Sequence, residues 1–395
     1  MICQVITDRR ALQELGSEWN ELLAQSRADS IFLTWEWISG WMETLGGDVT
    51  PLVVTARDVD GKLCGLLPAY RTRFALFKAI RFRGLRIIGD GVSGGEYGSV
   101  IARRDVEAEA TVAVMERLAQ RAMRWNVLWI PNAGPTEERS AALLDGVQRL
   151  GILLRTRPAE FAQIPLPGSF EAYLQSLPQK IRYQMRRGME RAEREHGARL
   201  VRCTNEARLG EALGDLRRLH EARWLRRGQR GTFAEASKRD FYMRVAQSTL
   251  RRGWLRLDFL HVDGRAVAAQ IGFAYHGVFY ELQRGFDPSF PKIPAGLGAA
   301  LRCMVIQRCI EDGIRTYDFL GEYSGDKQRA GALRTVGRDL LLIRPSLRGA
   351  LLDWLAVWPR GRYFVERARP SERMVEDLPP MQGAPAQRPE PALVS

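Results

Sequence analysis

The stretch VFYELQRGFDPSFPKIPAGLGAALRCMVIQRCIEDGIRTYDFLGEYSGDKQR, residues 278–329, decides the fold. Val278–Gly285 alternates as a strand, with Phe279, Glu281 and Gln283 on one face and Val278, Tyr280, Leu282 and Arg284 on the other. A loop holding Pro288, Pro291 and Pro294 follows. Ala295–Asp312 then reads as a helix, with Leu297, Leu301, Met304, Val305 and Cys309 on one face, and Gly313 stops it. Thr316–Leu320 is a short apolar strand. Gly296 and Gly298 sit where the helix opens. Backbone N–H groups there lack partners and carry partial positive charge, and glycine lets a phosphate come close.

Working outward, the second half of the chain presents a strand at Ala198–Thr204, helices at Arg208–Arg227 and Ala234–Arg251, and strands at Trp254–His261 and Ala266–Tyr275. Val262-Asp263-Gly264-Arg265 turns between the last two, and Asp339–Ile343 closes the series. The first half repeats this order more loosely. Helices fit Arg10–Leu23 and Trp35–Leu45, strands fit Leu52–Asp58 and Leu63–Arg71, and a strand region spans Phe82–Ile101. A helix at Val106–Arg124 and a strand at Val127–Ile130 complete it. Pro165–Pro167 interrupts the pattern between the halves. The expected organisation is a domain over 1–165, a second over 166–345, a helix over 346–369 and a disordered, proline-rich tail over 370–395. The class is α/β (α+β), each half a mixed, mostly antiparallel sheet flanked by helices.

A chain of 395 residues is long enough for two or three domains. Of its 59 basic residues six are lysine, which leaves 53 arginines against 46 acids, a net charge of +13. Two predicted helices hold much of that charge: Lys180, Arg182, Arg186, Arg187, Arg191 and Arg194 in one, Arg217, Arg218, Arg223, Arg226, Arg227 and Arg230 at the other. Solvated arginine faces balanced by nearby glutamates explain most of them. The five cysteines are scattered without a CxxC pair, and the four histidines lack metal-ligand spacing. No GxSxG or GxxxxGK[ST] motif occurs. No charged lead followed by an apolar core opens the chain and no apolar run reaches membrane-spanning length, so a cytoplasmic protein is expected. The aromatic-basic segment 346–369, with Trp354 and Trp358, is a candidate for peripheral membrane contact, although packing on the preceding domain is the preferred reading.

This element order resembles that of the GNAT acyltransferase superfamily, and two copies in tandem resemble the FemAB-type architecture. "LPQKIRYQMRR" (Leu177–Arg187), "GFDPSF…IPAGLG" (Gly285–Gly298) and "YDFLGEYSGDKQR" (Tyr317–Arg329) resemble the CelD-like family, linked by name to cellulose and exopolysaccharide biosynthesis. "FLTWEWISGWMETLG" (Phe32–Gly46) resembles that family's opening. Ile293–Gly298 keeps the glycines of the superfamily's phosphate-cradling pattern without its leading Gln or Arg. The resemblance implies an N-acyltransferase with its site in the second half. Acyl-CoA (acetyl-CoA) would be the donor, with no metal, and a small-molecule or saccharide amine the acceptor. Specific DNA is not implied, and aminoacyl-tRNA is the less favoured donor. A non-catalytic component of a polysaccharide synthesis complex and a FemAB-type tRNA-dependent ligase are the alternatives.

Acyl transfer to an amine needs a neutral amine, a polarised carbonyl and a proton acceptor. Glu281, an acid on a mid-sheet strand, is the candidate base, against a plain arginine salt bridge. Asp318 is a candidate for positioning the acceptor and Tyr323 for the general acid. Gly296, Leu297, Gly298 and Lys327 are expected at the donor, and Arg182, Arg186, Arg284 and Asp287 at the substrate.

Overall fold

Among the residues described, 1–76, 80–91, 94–134, 141–357 and 364–367, the computed structural model of this chain forms a single sheet of fourteen strands. In chain order these are β1 (Ile2–Ile6), β2 (Pro51–Arg57), β3 (Leu63–Leu76), β4 (Ile80–Ile87), β5 (Ile101–Ala102), β6 (Val127–Ile130) and β7 (Leu153–Pro165), then β8 (Arg199–Arg202), β9 (Leu255–Val262), β10 (Arg265–Tyr275), β11 (Val278–Phe286), β12 (Thr316–Gly321), β13 (Leu333–Ile343) and β14 (Phe364–Arg367). The spatial order is β1-β2-β3-β4-β6-β13-β7-β12-β11-β10-β9-β8, with β5 and β14 beside β3. The class is the expected one, a mostly antiparallel mixed sheet flanked by helices. Each half contributes three antiparallel neighbours followed by one parallel pairing: β2-β3-β4 with β6, and β9-β10-β11 with β12.

The parallel pairings need crossovers, and the helices Glu107–Ala119 and Leu297–Glu311 supply them. The halves meet through exchanged strands. β13, from the end of the second half, lies between β6 and β7 of the first, and β7 pairs with both β13 and β12. One continuous core joins Trp19, Trp37 and Val114 of the first half to Leu216, Phe241 and Tyr280 of the second. A second core, with Tyr173, Met185, Leu301 and Val305, covers the other face of the second half.

Several local expectations change. Arg10–Leu23 is two helices, Arg9–Glu14 and Gly16–Ala24, because the chain turns at Leu15. The strand region 82–101 is β4 and then a glycine-bearing loop, with β5 following it. Asp339–Ile343 is the end of the longer β13. β7 escapes a pattern reading because it is arginine-rich and carries Pro158. β13 pairs with it over Leu153–Gln163 and holds it extended. The helix expected over 346–369 runs Leu347–Val357; Leu352 packs on Phe74, Phe82, Val127 and Ile343, while Trp354 is exposed. The tail 370–395, Trp358 and Pro359 lie outside the described residues. Among those described, no helix is long and apolar enough to cross a membrane.

Candidate active site

β11 and β12 stay together for three residue pairs, Val278↔Thr316, Phe279↔Tyr317 and Tyr280↔Asp318, and then part. On its other edge β12 pairs with β7 from Thr316↔Pro165 to Asp318↔Gln163, and after an irregularity again at Gly321↔Phe161. β11 carries a bulge: Ile271 faces Gln283 and Gly272 faces Glu281, so Leu282 is the extra residue. The bulge breaks the expected alternation. Glu281 and Arg284 both reach the side of the helix Leu297–Glu311, where they meet Arg302 and Gly298. Gly285 instead lies against the backbone of Leu219 and His220, where an added Cβ would fall 2.3 Å from the His220 nitrogen.

The parted strands open beneath the start of that helix. Ala295 and Gly296 take left-handed φ values of 59° and 88°, and no side chain caps the helix. Leu297 is buried, so it offers only its backbone. A Cβ at Gly298 would sit 3.2 Å from the Phe286 ring, and the Gly298 carbonyl accepts from Arg284 Nη1 at 3.2 Å. Close by, Gly188 on the helix Gln179–Arg194 abuts the carbonyl of Pro294; an added Cβ would lie 2.4 Å from that oxygen. The basic segment 177–187 is thereby tied to the loop that delivers the helix opening.

Beneath the opening lies a closed ionic cluster. Glu281, 9% exposed, accepts from Arg302 Nε and Nη2, both at 3.2 Å, from Arg284 Nε at 2.8 Å and from the Tyr317 hydroxyl at 2.5 Å. Arg284 and Arg302 also share Asp326, at 3.1 and 3.0 Å. Burial alone would raise the Glu281 carboxyl, but the two guanidiniums prevail and hold it near 2. A carboxylate so stabilised is a poor proton acceptor at neutral pH. Glu281, the expected base, is held between the guanidiniums of Arg284 and Arg302. Arg284, expected at the substrate, has its donors engaged by Glu281, Gly298 and Asp326.

A second cluster, assembled from both halves, borders the gap at the far end of β12. Asp318 is buried and accepts from the Tyr97 hydroxyl (2.7 Å), Gln163 Nε2 (2.9 Å) and the Leu320 amide (2.7 Å). Glu96 accepts from the Gly321 amide at 2.7 Å and from Asn132 Nδ2 at 3.4 Å. Burial, with the negative charge of Asp318 second, pushes the Glu96 carboxyl up to about 8. Tyr97, Glu96, Asn132 and Gln163 all come from the first half. Leu320 and Glu322 adopt left-handed φ values of 65° and 70°, and this bent backbone aims the Gly321 amide at Glu96. Lys327 donates to the carbonyls of Phe319 (2.9 Å) and Gly321 (2.5 Å), and its ammonium is destabilised mainly by burial.

Residues 179–328 match the family described as an acetyltransferase (GNAT) domain. The chain therefore carries a GNAT acetyltransferase domain. The match spans both the uncapped helix and the parted strands. No curated protein matches the sequence. Among solved structures, FemX is 12% identical with a TM-score of 0.57, over 86% of this chain and 97% of FemX. A conserved protein of unknown function from Bacteroides thetaiotaomicron is 14% identical with a TM-score of 0.53, over 87% of this chain and 100% of its own. L-PGS from Bacillus licheniformis is 15% identical with a TM-score of 0.51, over 88% and 95% respectively. At such identities the likeness is one of fold, and it extends well beyond the GNAT domain into the first half.

Within the GNAT domain the remaining predicted residues divide. The structure brings Gly296, Leu297 and Gly298 together at the helix opening. It does not bring Lys327 there, because its ammonium holds the end of β12. Asp318 is a positioning group for the β12 turn, with its oxygens taken by three donors. Tyr323 donates to the Ala332 carbonyl at 3.3 Å. Asp287 shapes its own loop, accepting from the Ser289 amide (2.9 Å) and hydroxyl (2.5 Å), with Arg265 at 3.6 Å. Arg186 pairs with Glu171, and Arg182 donates to the Gln175 carbonyl at 3.5 Å. Sequence reading missed Glu96, because nothing local marks an acid in a glycine-rich loop as belonging to a strand 225 residues away. It also missed His220, fully buried, whose Nε2 accepts from the Thr232 amide at 3.1 Å. Its Nδ1 therefore donates to the Arg284 carbonyl at 3.1 Å. Burial, foremost, lowers this imidazole to about 4, so it is a neutral clamp on the bulged strand. Among the described residues no group of three metal-ligating side chains converges.

Proposed function

We propose that this protein, acting in the cytoplasm, transfers an acyl group from acyl-CoA to a primary amine on an amino sugar or another exopolysaccharide precursor. One observation carries the reading: β11 and β12 part directly beneath an uncapped helix opened by Gly296 and Gly298. The gap suits an extended thioester arm, and the free N–H groups of Leu297 and Gly298 suit its phosphates. The acceptor preference rests on the motif resemblance at 177–187, 285–298 and 317–329.

The amine attacks the thioester carbonyl directly. The N–C bond forms as the C–S bond breaks, the thiolate leaves to take a proton from water, and the surplus ammonium proton goes to Glu96. A carboxyl that titrates near 8 is matched to that task, whereas Glu281, near 2, is not. Glu281 instead fixes Arg284 and Arg302 beneath the helix opening.

Calorimetric titration with acetyl-CoA and with longer acyl-CoAs tests the donor. Binding of an acyl-CoA that weakens when Gly298 is replaced by Val supports the reading. No binding of any acyl-CoA, together with tight, salt-sensitive binding of aminoacyl-tRNA, replaces it with a tRNA-dependent ligase.

A further inference from the structure

A second charged pocket lies in the first half, outside the GNAT domain. Its cavity, about 320 Å³, is lined by Arg71, Arg73, Arg83 and Arg124 together with Asp48 and Thr50. Four guanidiniums against one carboxylate leave a net charge of +3. Among the described residues none of these arginines forms an ion pair with a carboxylate, whereas Arg86, Arg186, Arg284 and Arg302 each do.

The backbone concentrates this charge. Arg73 of β3 and Arg83 of β4 are directly opposite one another in the antiparallel register, with Arg71 two residues along on the same face. Like charges directly opposite in such a pair are destabilising unless something negative lies between them. Arg71 is half-buried, donates one Nη1 hydrogen to the Met123 carbonyl at 3.1 Å, and has its charge disfavoured by burial and then by Arg83. Arg124 completes the rim from a left-handed backbone, φ 48°, one residue after Met123. β4 is held in this position by Asn126, whose Oδ1 accepts from the Arg83 amide at 2.9 Å and whose amide donates to the Arg83 carbonyl at 2.8 Å.

We propose that this pocket binds a small molecule bearing a diphosphate group. Charge and size select that class. A terminal diphosphate carries about three negative charges, matching the +3 of the lining, and arginine forks grip phosphate oxygens in pairs. A cavity of this volume holds a small phosphorylated molecule rather than a polymer. The site lies on the β3–β4 hairpin, so it stands independently of the donor assigned to the helix opening.

The test uses the full chain, titrated with inorganic pyrophosphate and with orthophosphate. Pyrophosphate is expected to bind and to raise the Tm, with orthophosphate about tenfold weaker or more. Arg73→Gln/Arg83→Gln is expected to weaken pyrophosphate binding by about tenfold or more while acetyl-CoA binding stays unchanged. Without ligand that variant is expected to melt no lower than the parent, because it relieves repulsion. Two results overturn the proposal. One is absence of pyrophosphate binding to the parent; the other is equal binding by parent and variant. If acetyl-CoA itself does not bind, the comparison of parent and variant still decides.

Discussion

Two carboxyl groups near the strand gap hold their protons in opposite ways. Glu96 is pushed up to about 8 by burial and the charge of Asp318, and Glu281 is held near 2 because Arg284 and Arg302 outweigh its burial. Replacing Glu96 by Gln is expected to lower kcat by roughly 10²-fold or more and to remove the rising limb of the pH–rate profile that ends near pH 8. A profile whose limb survives in the variant would remove Glu96 from the mechanism. Stability moves in the matching direction. The parent's Glu96 ionises only against its surroundings, so its contribution fades as pH climbs from the ordinary value of 4.5 through about 8. The Tm advantage of Glu96→Gln should accordingly grow across that window and level off above it.

Glu281→Gln should behave differently. Removing the carboxylate strands Arg284 and Arg302, and breaking a buried pair in this way costs about 3–5 kcal/mol. Denaturant unfolding should show that loss at neutral pH, with the surviving enzyme keeping the shape of its pH profile. The parent's own share of this stability is present above pH 4.5 and fades as pH falls toward 2. At this scale the sequence showed an expensive acid on β11 but not its partners. Arg302 lies 21 residues away on another element, and only packing brings it to Glu281.

At the scale of elements, the helix Leu297–Glu311 and the strands on either side of it were legible because periodicity, three prolines and two glycines all mark them. The bulge at Leu282 was not, since a bulge leaves no mark on an alternating pattern; it is a property of the pairing with β10. The same limit hid Gly188, whose purpose appears only where one helix touches another's approach loop. Gly188→Ala puts a methyl group 2.4 Å from the Pro294 carbonyl, and backbone cannot step aside as a side chain does. The variant is expected to lose about 1–3 kcal/mol and to bind acyl-CoA more weakly, measured by thermal unfolding and calorimetry. Gly168→Ala, where the added methyl meets nothing within 4 Å, is the control.

Across the whole molecule, the halves are interlocked rather than merely joined. β13 is inserted between β6 and β7, and Glu96 and Tyr97 reach across to β12. Residues 166–345 expressed alone would leave β13 without either neighbour and Asp318 without Tyr97 and Gln163. That fragment is expected to lack a cooperative thermal transition, while the full chain unfolds in one step. An independently folding, acyl-CoA-binding fragment would show that the exchange is dispensable.

The hairpin strands of each half, the doubled pattern and the glycine-opened helix were determined by the sequence alone, because periodicity and turn chemistry act within a few residues. The β7–β13 exchange, the pairing of Glu281 with two arginines and the raised carboxyl of Glu96 were decided only in the tertiary structure. Each depends on groups far apart in the chain, and burial and charge change their chemistry only once folding has set them side by side.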